Sequence, residues 1–257
     1  MHEPRNWTYW HRLLGGEMNH ALAASVKVLA FDVFGTVVDW RSSVIAEGEQ
    51  LGKTKGLNVN WAAFADAWRA VYHPFMDRVR NGELPWTNLD GLHRMSLEEI
   101  LTQFKIEGLS ESEKNHLSRV WHRLKPWPES VPGLERLKTR FIITTLSNGN
   151  ISLLTNMAKH AGLPWDCILS AENIRHYKPD REVYLLVPGL FDLKPEEVMM
   201  VAAHERDLQH AQKYGLRTAF VHRPLEHGSG KAVPIPPSDK CDVIAKDFLD
   251  LADQMGV

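Results

Sequence analysis

Short apolar runs that alternate with helical stretches are the feature that most limits the possible folds of this chain. Near-continuous apolar runs of this length, rich in Val and Ile, are typical of parallel strands buried on both faces. Their alternation with helices predicts an α/β fold with an open, doubly wound parallel sheet. The predicted strands are 26–33, 140–148, 166–171, 197–204, 217–223 and, at one edge, 241–246, and the predicted helices between them are 150–162, 180–187 and 206–215.

The segment between Trp40 and about Val131 follows a different pattern, because helical periodicity replaces the strand-like runs. We interpret it as an inserted all-α subdomain that leaves the sheet after the first strand. It is expected to return where closely spaced prolines break the helix. The predicted helices cover 42–56, 61–82, 89–104 and 110–124, and the prolines are Pro126, Pro128 and Pro132.

These patterns predict a division of the chain into a core and a helical insertion. The core comprises residues 25–40 and 132–257, and the helical domain comprises residues 41–131. The stretch 223–239, rich in Gly, Pro and Ser, is expected to be a loop before the last strand. Residues 1–24 precede the first strand, and Met18 is an alternative start, so we treat this stretch as an extension without assigned function.

Composition excludes several classes of function. The 257 residues include 44% hydrophobic residues, enough for a sizeable core. The net charge is −2 and the basic residues are scattered, which argues against nucleic acid or an anionic membrane as a partner. Cys167 and Cys241 lack CxxC spacing, and no apolar run approaches the roughly 20 residues of a membrane span. We expect a cytoplasmic protein that acts on a small molecule, with a homodimer left open.

Polar side chains follow the predicted strands at their carboxyl ends. In open parallel sheets the reactive crevice lies beyond these ends, so we expect the side chains to converge on one rim. They are Asp32 and Thr36 after the first strand, Ser147 and Asn148 after the second, Lys178 at a helix entry, and His204 and Asp207 after the fourth.

The order and spacing of these residues resemble the haloacid dehalogenase (HAD) superfamily. "FDVFGT" resembles its nucleophile loop, "TLSNG" its second motif, "YKPD" its lysine motif and "VAAHERD" its acidic fourth motif. The resemblance covers Val26 to the end of the chain. It implies a HAD-like, Rossmannoid core with a doubly wound parallel sheet, and identifies the helical insertion with a C1-type cap.

Two residues separate this chain from the phosphatases of that superfamily. Those enzymes use a D-x-D pair, in which the second aspartate protonates the leaving group. They also hold magnesium with an acidic fourth motif, because a hard cation needs several oxygen ligands. Phe34 and Ala203 replace these two aspartates. The resemblance therefore favours the 2-haloacid dehalogenases, without metal or organic cofactor.

The resemblance also implies a catalytic role for each residue at the rim. Asp32 would attack the α-carbon of a short 2-haloalkanoic acid and form an ester, which water then hydrolyses to a 2-hydroxy acid. Asp207 would orient or deprotonate that water, together with His204. Thr36 and Lys178 would hold Asp32 ionised and aimed.

Further residues are expected to bind the substrate or the halide. Ser147 and Asn148 offer a hydroxyl and an amide N–H to the substrate carboxylate or to the departing halide. Arg69 stands where the family's dehalogenases carry a halide-binding arginine, which suits a weakly hydrated anion. Tyr184 matches a tyrosine that follows the family's lysine. The aromatic residues that we expect to wall the pocket are Phe34, Trp40, Tyr72 and Trp86.

Structural roles compete with these functional ones. Asp32 can be a plain turn residue, Lys178 a surface residue at a helix entry, and Asp207 a helix cap. Arg69 can be a solvated arginine near Asp66. His204 can be structural, Ser147 and Asn148 can form an N-cap pair, and Tyr184 and the other aromatic residues can serve as core packing, while His116 and His122 are expected at the surface.

Two other functions remain open at this point. One is a magnesium-dependent phosphatase or phosphonatase-like hydrolase of the same fold, and the other is an inactive binding protein. The chain also departs from the dehalogenase pattern, since Ala202 and His204 replace a serine and an asparagine of the fourth motif, and Arg206 replaces an aromatic residue. These changes affect the expected water-activating network and substrate range rather than the nucleophile.

Overall fold

A six-stranded parallel sheet forms the centre of this computed structural model, which describes residues 21–231 and 233–257. The predicted extension 1–24 therefore lies mostly outside the described residues. The predicted doubly wound α/β sheet is confirmed, and each predicted strand is present in shortened form. The strands are β1 (Val28–Phe31), β4 (Ile142–Ser147), β5 (Cys167–Ser170), β6 (Val198–Ala202), β7 (Arg217–Val221) and β8 (Val243–Ala245), in the spatial order β5-β4-β1-β6-β7-β8.

Strand β1 lies in the middle of the sheet and is buried on both faces. Val28 pairs with Ile142 of β4 on one side and with Val198 of β6 on the other. Leu29 and Phe31 belong to one hydrophobic cluster, and Val28 and Ala30 belong to a second cluster on the other face. This alternation follows from the two-residue repeat of a strand. The chain therefore leaves β1 at the centre of the carboxyl edge.

Helices cover both faces of the sheet and fill the gaps between its strands. Pro132 was expected to break a helix, and this prediction is wrong: the proline lies in the first turn of α6, where its missing N–H costs no hydrogen bond. The C-terminal helix α10 was not predicted. The core helices are α6 (Ser130–Lys138), α7 (Ile151–Ala161), α8 (Arg181–Phe191), α9 (Glu205–Lys213) and α10 (Phe248–Gln254).

The predicted helical insertion is present between the two strands of a short antiparallel ribbon, β2 (Val38–Asp39) and β3 (Lys125–Pro126). The ribbon was not predicted, because two residues per strand produce no recognisable periodicity. The helix predicted over 61–82 is divided at Val71. The helices of the insertion are α1 (Trp40–Lys55), α2 (Trp61–Ala70), α3 (Tyr72–Arg80), α4 (Leu89–Gln103) and α5 (Glu111–Ser118), followed by a 3₁₀ turn (Arg119–His122).

No helix in the described residues combines the length and the apolar character that a membrane span requires. The described helices of the insertion bury their apolar faces against one another and against the sheet domain instead. Trp68 and Trp121, for example, are both 1% exposed, and their rings pack at 5.3 Å.

Polar contacts hold the insertion over the carboxyl edge of the sheet. Arg80 of α3 donates two hydrogen bonds to Asp180, at 2.8 and 3.0 Å. His122 was expected at the surface, and this prediction is wrong: its ring is buried and its nitrogens lie 2.7 Å from Asp90 and 3.0 Å from Asn156. The hydrogen-bonding partners explain this burial, because they satisfy both ring nitrogens away from water. The insertion therefore covers the rim on which the predicted site residues stand.

Candidate active site

Asp32 lies at the end of β1, at the centre of the sheet's carboxyl edge. Its backbone N–H donates to the Val201 carbonyl at 3.0 Å, which extends the pairing with β6 by one residue. The side chain is 13% exposed and touches three donors. Thr36 Oγ1 lies 2.8 Å and His204 Nδ1 3.1 Å from Oδ2, whereas Lys178 Nζ lies 3.3 Å from Oδ1. A carboxylate is therefore held at the end of a buried strand by groups that favour its charged form.

The charge state of Asp32 follows from two opposing effects. Burial raises the pKa of this carboxyl group, but the Lys178 ammonium and the hydrogen bond from His204 outweigh burial. The net result is a pKa well below the ordinary value of an aspartate. The Asp32 side chain is therefore an anion throughout the neutral pH range, as an attacking carboxylate must be.

Lys178 connects Asp32 to Asp207. The lysine is 8% exposed, so the alternative of a surface residue at a helix entry is wrong. Its Nζ donates to Asp207 Oδ2 at 2.6 Å, and Tyr184 donates its hydroxyl proton to Asp207 Oδ1 at 2.7 Å. Burial lowers the pKa of Lys178, but the two carboxylates raise it more, so its pKa lies above the ordinary value. The cation is fixed between two anions.

Asp207 lies in the first turn of α9 but is not its side-chain cap. The N-cap position is His204, and no side chain of the described residues caps the N-terminal end of this helix by a hydrogen bond. An anion in the first turn is still favoured by the helix dipole. Both oxygens of Asp207 instead face the rim, where they accept from Lys178 and Tyr184. Tyr184 is fully buried, as core packing requires, and its hydroxyl group also reaches the site.

His204 bridges two carboxylates. Its Nδ1 lies 3.1 Å from Asp32 Oδ2, and its Nε2 lies 2.9 Å from Glu226 Oε1. Burial lowers the pKa of His204, but hydrogen bonds to Asp32 and Glu226 raise it to about 10. The ring is therefore protonated at neutral pH, and both nitrogens donate. This charge state argues against the expectation that His204 helps to deprotonate water.

Sequence reasoning missed Glu226, because it lies in the predicted loop 223–239, to which we gave no function. Glu226 is 1% exposed, and its Oε1 also accepts a hydrogen bond from Trp40 Nε1 at 3.3 Å. A signal was available in the topology. The loop follows β7, and every parallel strand delivers its next loop to the same edge of the sheet. A carboxylate shortly after β7 was therefore placed near the rim.

Gly35 makes room for Glu226. Its φ is +85°, and a Cβ built on Gly35 would lie 2.2 Å from Glu226 Oε1. Both the backbone conformation and the close approach therefore require glycine. The "FGT" part of the nucleophile loop thus shapes the turn and also admits the second carboxylate.

The Gly35→Ala variant is expected to lose about 3 kcal/mol of unfolding free energy and to displace Glu226, because strain and a clash combine. Gly56→Ala is the matched control. Gly56 also has a positive φ, +68°, but an added Cβ would meet no atom of the described part of the chain within 4 Å, so we expect a loss of about 1 kcal/mol. Urea unfolding of both variants measures the difference. Equal stability of the two variants would show that Glu226 does not press against this turn.

A cavity of about 300 Å³ opens between Asp32 and the helical insertion. Most of the predicted site residues border it, together with residues of α3 and α9 that were not predicted. From the predicted set, the lining contains Asp32, Phe34, Arg69, Tyr72, Asn148, Lys178, Tyr184, His204 and Asp207, and it also contains His73, Met76, Arg80 and His210. The cavity has room for a small substrate above the carboxylate.

Arg69 projects from α2 into this cavity. Its guanidinium lies over the Tyr72 ring at 4.1 Å and over the Trp40 ring at 5.5 Å. Asp66 pairs with Arg41 at 2.7 Å, so the alternative of a solvated Arg69 beside Asp66 is wrong. Arg69 Nη1 is buried and has no hydrogen-bond partner in the described residues. A buried, unsatisfied cationic donor beside a cavity is suited to binding an anion.

Four predicted residues stand behind the cavity or at its edge. Asn148 borders the cavity and its Oδ1 accepts from the Lys178 backbone N–H at 2.8 Å. Ser147 is buried behind it, where its hydroxyl accepts from the Gly149 N–H at 3.1 Å. The N-cap of α7 is Asn150, so the alternative of an N-cap pair at 147 and 148 is wrong. Trp40 lies under the Arg69 guanidinium and donates a hydrogen bond to Glu226. Trp86 packs against Tyr177 at 4.9 Å and is not among the residues that line the cavity.

The donor set does not fit a magnesium ion. Phe34 and Ala203 supply no side-chain oxygen. All four carboxylate oxygens of Asp32 and Asp207 already accept hydrogen bonds, and the Lys178 ammonium occupies the space between them. Within the described residues no cluster of three or more His, Cys, Asp or Glu side chains is arranged to hold a metal ion. A hard divalent cation would have to displace a buried ammonium from this position.

The family of the chain is decided by its match to known sequences. The sequence profile of haloacid dehalogenase-like hydrolases matches residues 26–215, from β1 through α9. The chain is a haloacid dehalogenase-like hydrolase. The family named from the sequence motifs is thus confirmed.

Relatives of this hydrolase cover most of its length. (S)-2-haloacid dehalogenase 4A of Burkholderia cepacia is 28% identical over 206 residues, which are 77% of this chain and 84% of that protein. The crystal structure of a defluorinating L-2-haloacid dehalogenase is 44% identical, with a TM-score of 0.87 over 90% of this chain and 96% of that chain. A second L-2-haloacid dehalogenase structure is 46% identical, with a TM-score of 0.85 over 90% and 98% of the two chains.

Proposed function

We propose that this haloacid dehalogenase-like hydrolase releases halide from short 2-haloalkanoic acids by forming an ester on Asp32. The observation that carries the proposal is an ionised carboxylate at the base of a small cavity, with no proton donor at Phe34 and no fit for a cation near Ala203. Halide leaves without a proton, whereas a phosphate ester needs an acid for its leaving alkoxide. The relatives named as 2-haloacid dehalogenases support the same reaction.

In the first step, an oxygen of Asp32 attacks the α-carbon from the side opposite the halogen. The carbon–oxygen bond forms while the carbon–halogen bond breaks, and the halide leaves with the bonding electron pair. The configuration at this carbon is inverted. Arg69 is the proposed halide site, because this residue lines the cavity and its Nη1 has no hydrogen-bond partner in the described residues. A guanidinium is weakly hydrated and always charged, so it releases little water when it binds a halide.

In the second step, water attacks the side-chain carbonyl carbon of the Asp32 ester. Asp207 is the proposed base, since its carboxylate lies at the rim in the first turn of α9. Lys178 and Tyr184 hold both of its oxygens in place. One turnover in heavy-oxygen water is therefore expected to label the Asp32 side chain before it labels the hydroxy acid.

We propose that the helical insertion, residues 41–131, acts as a cap domain over this site. Arg80 and Asp180 form one of the contacts that join it to the core, and Arg69 reaches the cavity from its second helix. Closure of a cap excludes bulk water and strengthens the electrostatic interactions around Asp32. We also propose a cytoplasmic location, supported by the free Cys167 and Cys241, and a homodimer, which light scattering of the purified protein would test.

Halide release is expected to continue in the presence of EDTA. Ion chromatography of mixtures with fluoro-, chloro- and bromoacetate and with each enantiomer of 2-chloropropionate measures the halide. The control is p-nitrophenyl phosphate with added magnesium, from which we expect no phosphate, because Phe34 cannot protonate the leaving group. Chelator-sensitive phosphate release without halide release would establish the phosphatase alternative. Absence of both activities would favour a binding protein.

A further inference from the structure

The two oxygens of Asp32 have different surroundings. Thr36 accepts a hydrogen bond from the Ala203 N–H at 2.9 Å, so its own proton is directed to Asp32 Oδ2. His204 Nδ1 is the second neighbour of Oδ2. Within residues 21–231 and 233–257, Oδ1 has only the Lys178 ammonium as a hydrogen-bond neighbour, at 3.3 Å, and that ammonium lies closer to Asp207. The less restrained Oδ1 is thus free to attack, and Oδ2 remains as the carbonyl oxygen of the ester.

Glu226 lies on the far side of His204 from Asp32. Its Oε1 is 2.9 Å from His204 Nε2 and 3.3 Å from Trp40 Nε1. The carboxylate is buried, and the turn at Gly35 is shaped to admit it. Of the described residues that contact Asp32, His204 alone also contacts Glu226, so Glu226 acts on Asp32 through that histidine.

We infer that Glu226 is a positioning residue, which keeps His204 protonated and aimed at Asp32 Oδ2 so that His204 and Thr36 stabilise the oxyanion formed during ester hydrolysis. This inference rests on the proposed function. Donors preorganised around a developing oxyanion typically contribute about 10²–10³ in rate each. At the fourth-motif position where the family carries an asparagine, this chain carries His204. Glu226 is the partner that keeps His204 positively charged.

The atoms of the hydrolysis step balance in this arrangement. The water oxygen bonds to the ester carbon, the carbonyl electron pair moves to Oδ2, and one water proton passes to Asp207. The electron pair on Oδ2 then re-forms the carbonyl double bond, and the bond from the carbonyl carbon to Oδ1 breaks. Asp207 gives its proton to the leaving alkoxide. The remaining hydroxyl proton is released to solvent, and the Asp32 carboxylate is regenerated.

Several charged groups surround the His204 ring, and the two carboxylates determine its state. Burial lowers the pKa of His204, while Asp32 and Glu226 together raise it to about 10. The guanidinium groups of Arg69 and Arg223 interact with Glu226, and neither contacts the His204 ring nitrogens in the described residues. The other titratable or charged groups near His204 or Glu226 in the described residues are Arg69, His73, Lys178, Arg206, Asp207, Arg223 and His227.

The Glu226→Gln variant tests this inference. Glutamine keeps the shape and an acceptor for His204 and Trp40 but removes the charge, so the pKa of His204 is expected to fall. As the pH is raised, hydrolysis of the Asp32 ester should therefore begin to slow at a lower pH in the variant than in the wild type. At pH 9 we expect a 10- to 100-fold slower second step, accumulation of the ester on Asp32 by mass spectrometry, and a normal first burst of halide. At pH 6 the variant should be close to the wild type.

Leu225→Ala is the matched control, because Leu225 is the neighbouring residue of the same loop and is 59% exposed. It should leave the pH profile unchanged. His204→Asn supplies a second test if Glu226→Gln does not fold. This variant should slow ester hydrolysis at all pH values, and its rate should no longer decline at alkaline pH. Nitrogen-15 NMR of the His204 ring follows its titration in the wild type and in the folded Glu226→Gln and Leu225→Ala variants, without using turnover.

The outcomes separate the inference from the proposed function. A wild-type protein that releases no halide overturns the proposed function and the inference with it. The inference alone is overturned if the wild type turns over normally but folded Glu226→Gln behaves like it. In that case the variant would show the same decline in rate at alkaline pH and no accumulation of the ester. A His204 ring that titrates at the same pH in wild type and variant has the same meaning.

Discussion

The Asp32→Asn variant is expected to release halide at least about 10⁴-fold more slowly than the wild type, because a neutral amide oxygen is a poor nucleophile. The loss should affect the first step, so that neither a burst of halide nor an ester is seen. Lys178 keeps Asp207 as its partner, and the fold should survive. Ion chromatography measures the halide, and circular dichroism measures the fold.

Asp192→Asn makes the same chemical change away from the site. Asp192 is exposed at the end of α8 with a φ of +52°, a conformation in which asparagine is well tolerated. We expect wild-type rates from this control. An Asp32→Asn protein that is folded and retains a tenth of the wild-type rate would remove Asp32 from the chemistry.

The Lys178→Met variant is expected to lose both stability and activity. Methionine fills the space of the lysine stem but leaves Asp32 and Asp207 buried without their shared cation. Removing one partner of a buried ion pair typically costs about 3–5 kcal/mol of unfolding free energy. The pKa of Asp32 should rise, since burial raises it and the Lys178 charge no longer opposes burial, although His204 and Thr36 still lower it. The residual activity should therefore increase with pH where that of the wild type is constant.

Lys159→Met is the control for the Lys178 variant. Lys159 is exposed in the last turn of α7, so its loss is expected to change the unfolding free energy by a few tenths of a kcal/mol. Guanidinium unfolding and the pH dependence of halide release measure both variants. Equal stability of Lys178→Met and Lys159→Met would contradict the view that Lys178 compensates two buried anions.

The central sheet and the position of Asp32 were predictable, because both depend on local patterns. Near-continuous apolar runs predict buried parallel strands, and the end of β1 places Asp32 at the crevice whatever the remainder of the chain does. The positions of Lys178 and Asp207 were predictable for a similar reason, since Lys178 was placed at a helix entry and Asp207 after a strand. The family's motif then gives each residue a position relative to the others.

Other contacts of the site depend on tertiary structure and could not be derived from local patterns. Glu226 reaches His204 through a loop whose path no periodicity specifies. His122 resembles a surface residue in a polar helix, yet Asp90 and Asn156 satisfy it in the interior. Ser147 follows the same strand as Asn148 but points away from the cavity, because adjacent residues at a strand end point in different directions. The β2–β3 ribbon is too short to leave a pattern.

The β2–β3 ribbon makes the helical insertion enter and leave the core at a single place. Val38 pairs with Pro126 and Asp39 with Lys125, so the two ends of the insertion are fastened to each other rather than to distant parts of the sheet. The segment between them can therefore change in length and sequence without altering the register of β1. In such an architecture Asp32 and its partners Lys178, His204 and Asp207 are inherited with the sheet, and the residues that the insertion adds to the cavity can evolve separately.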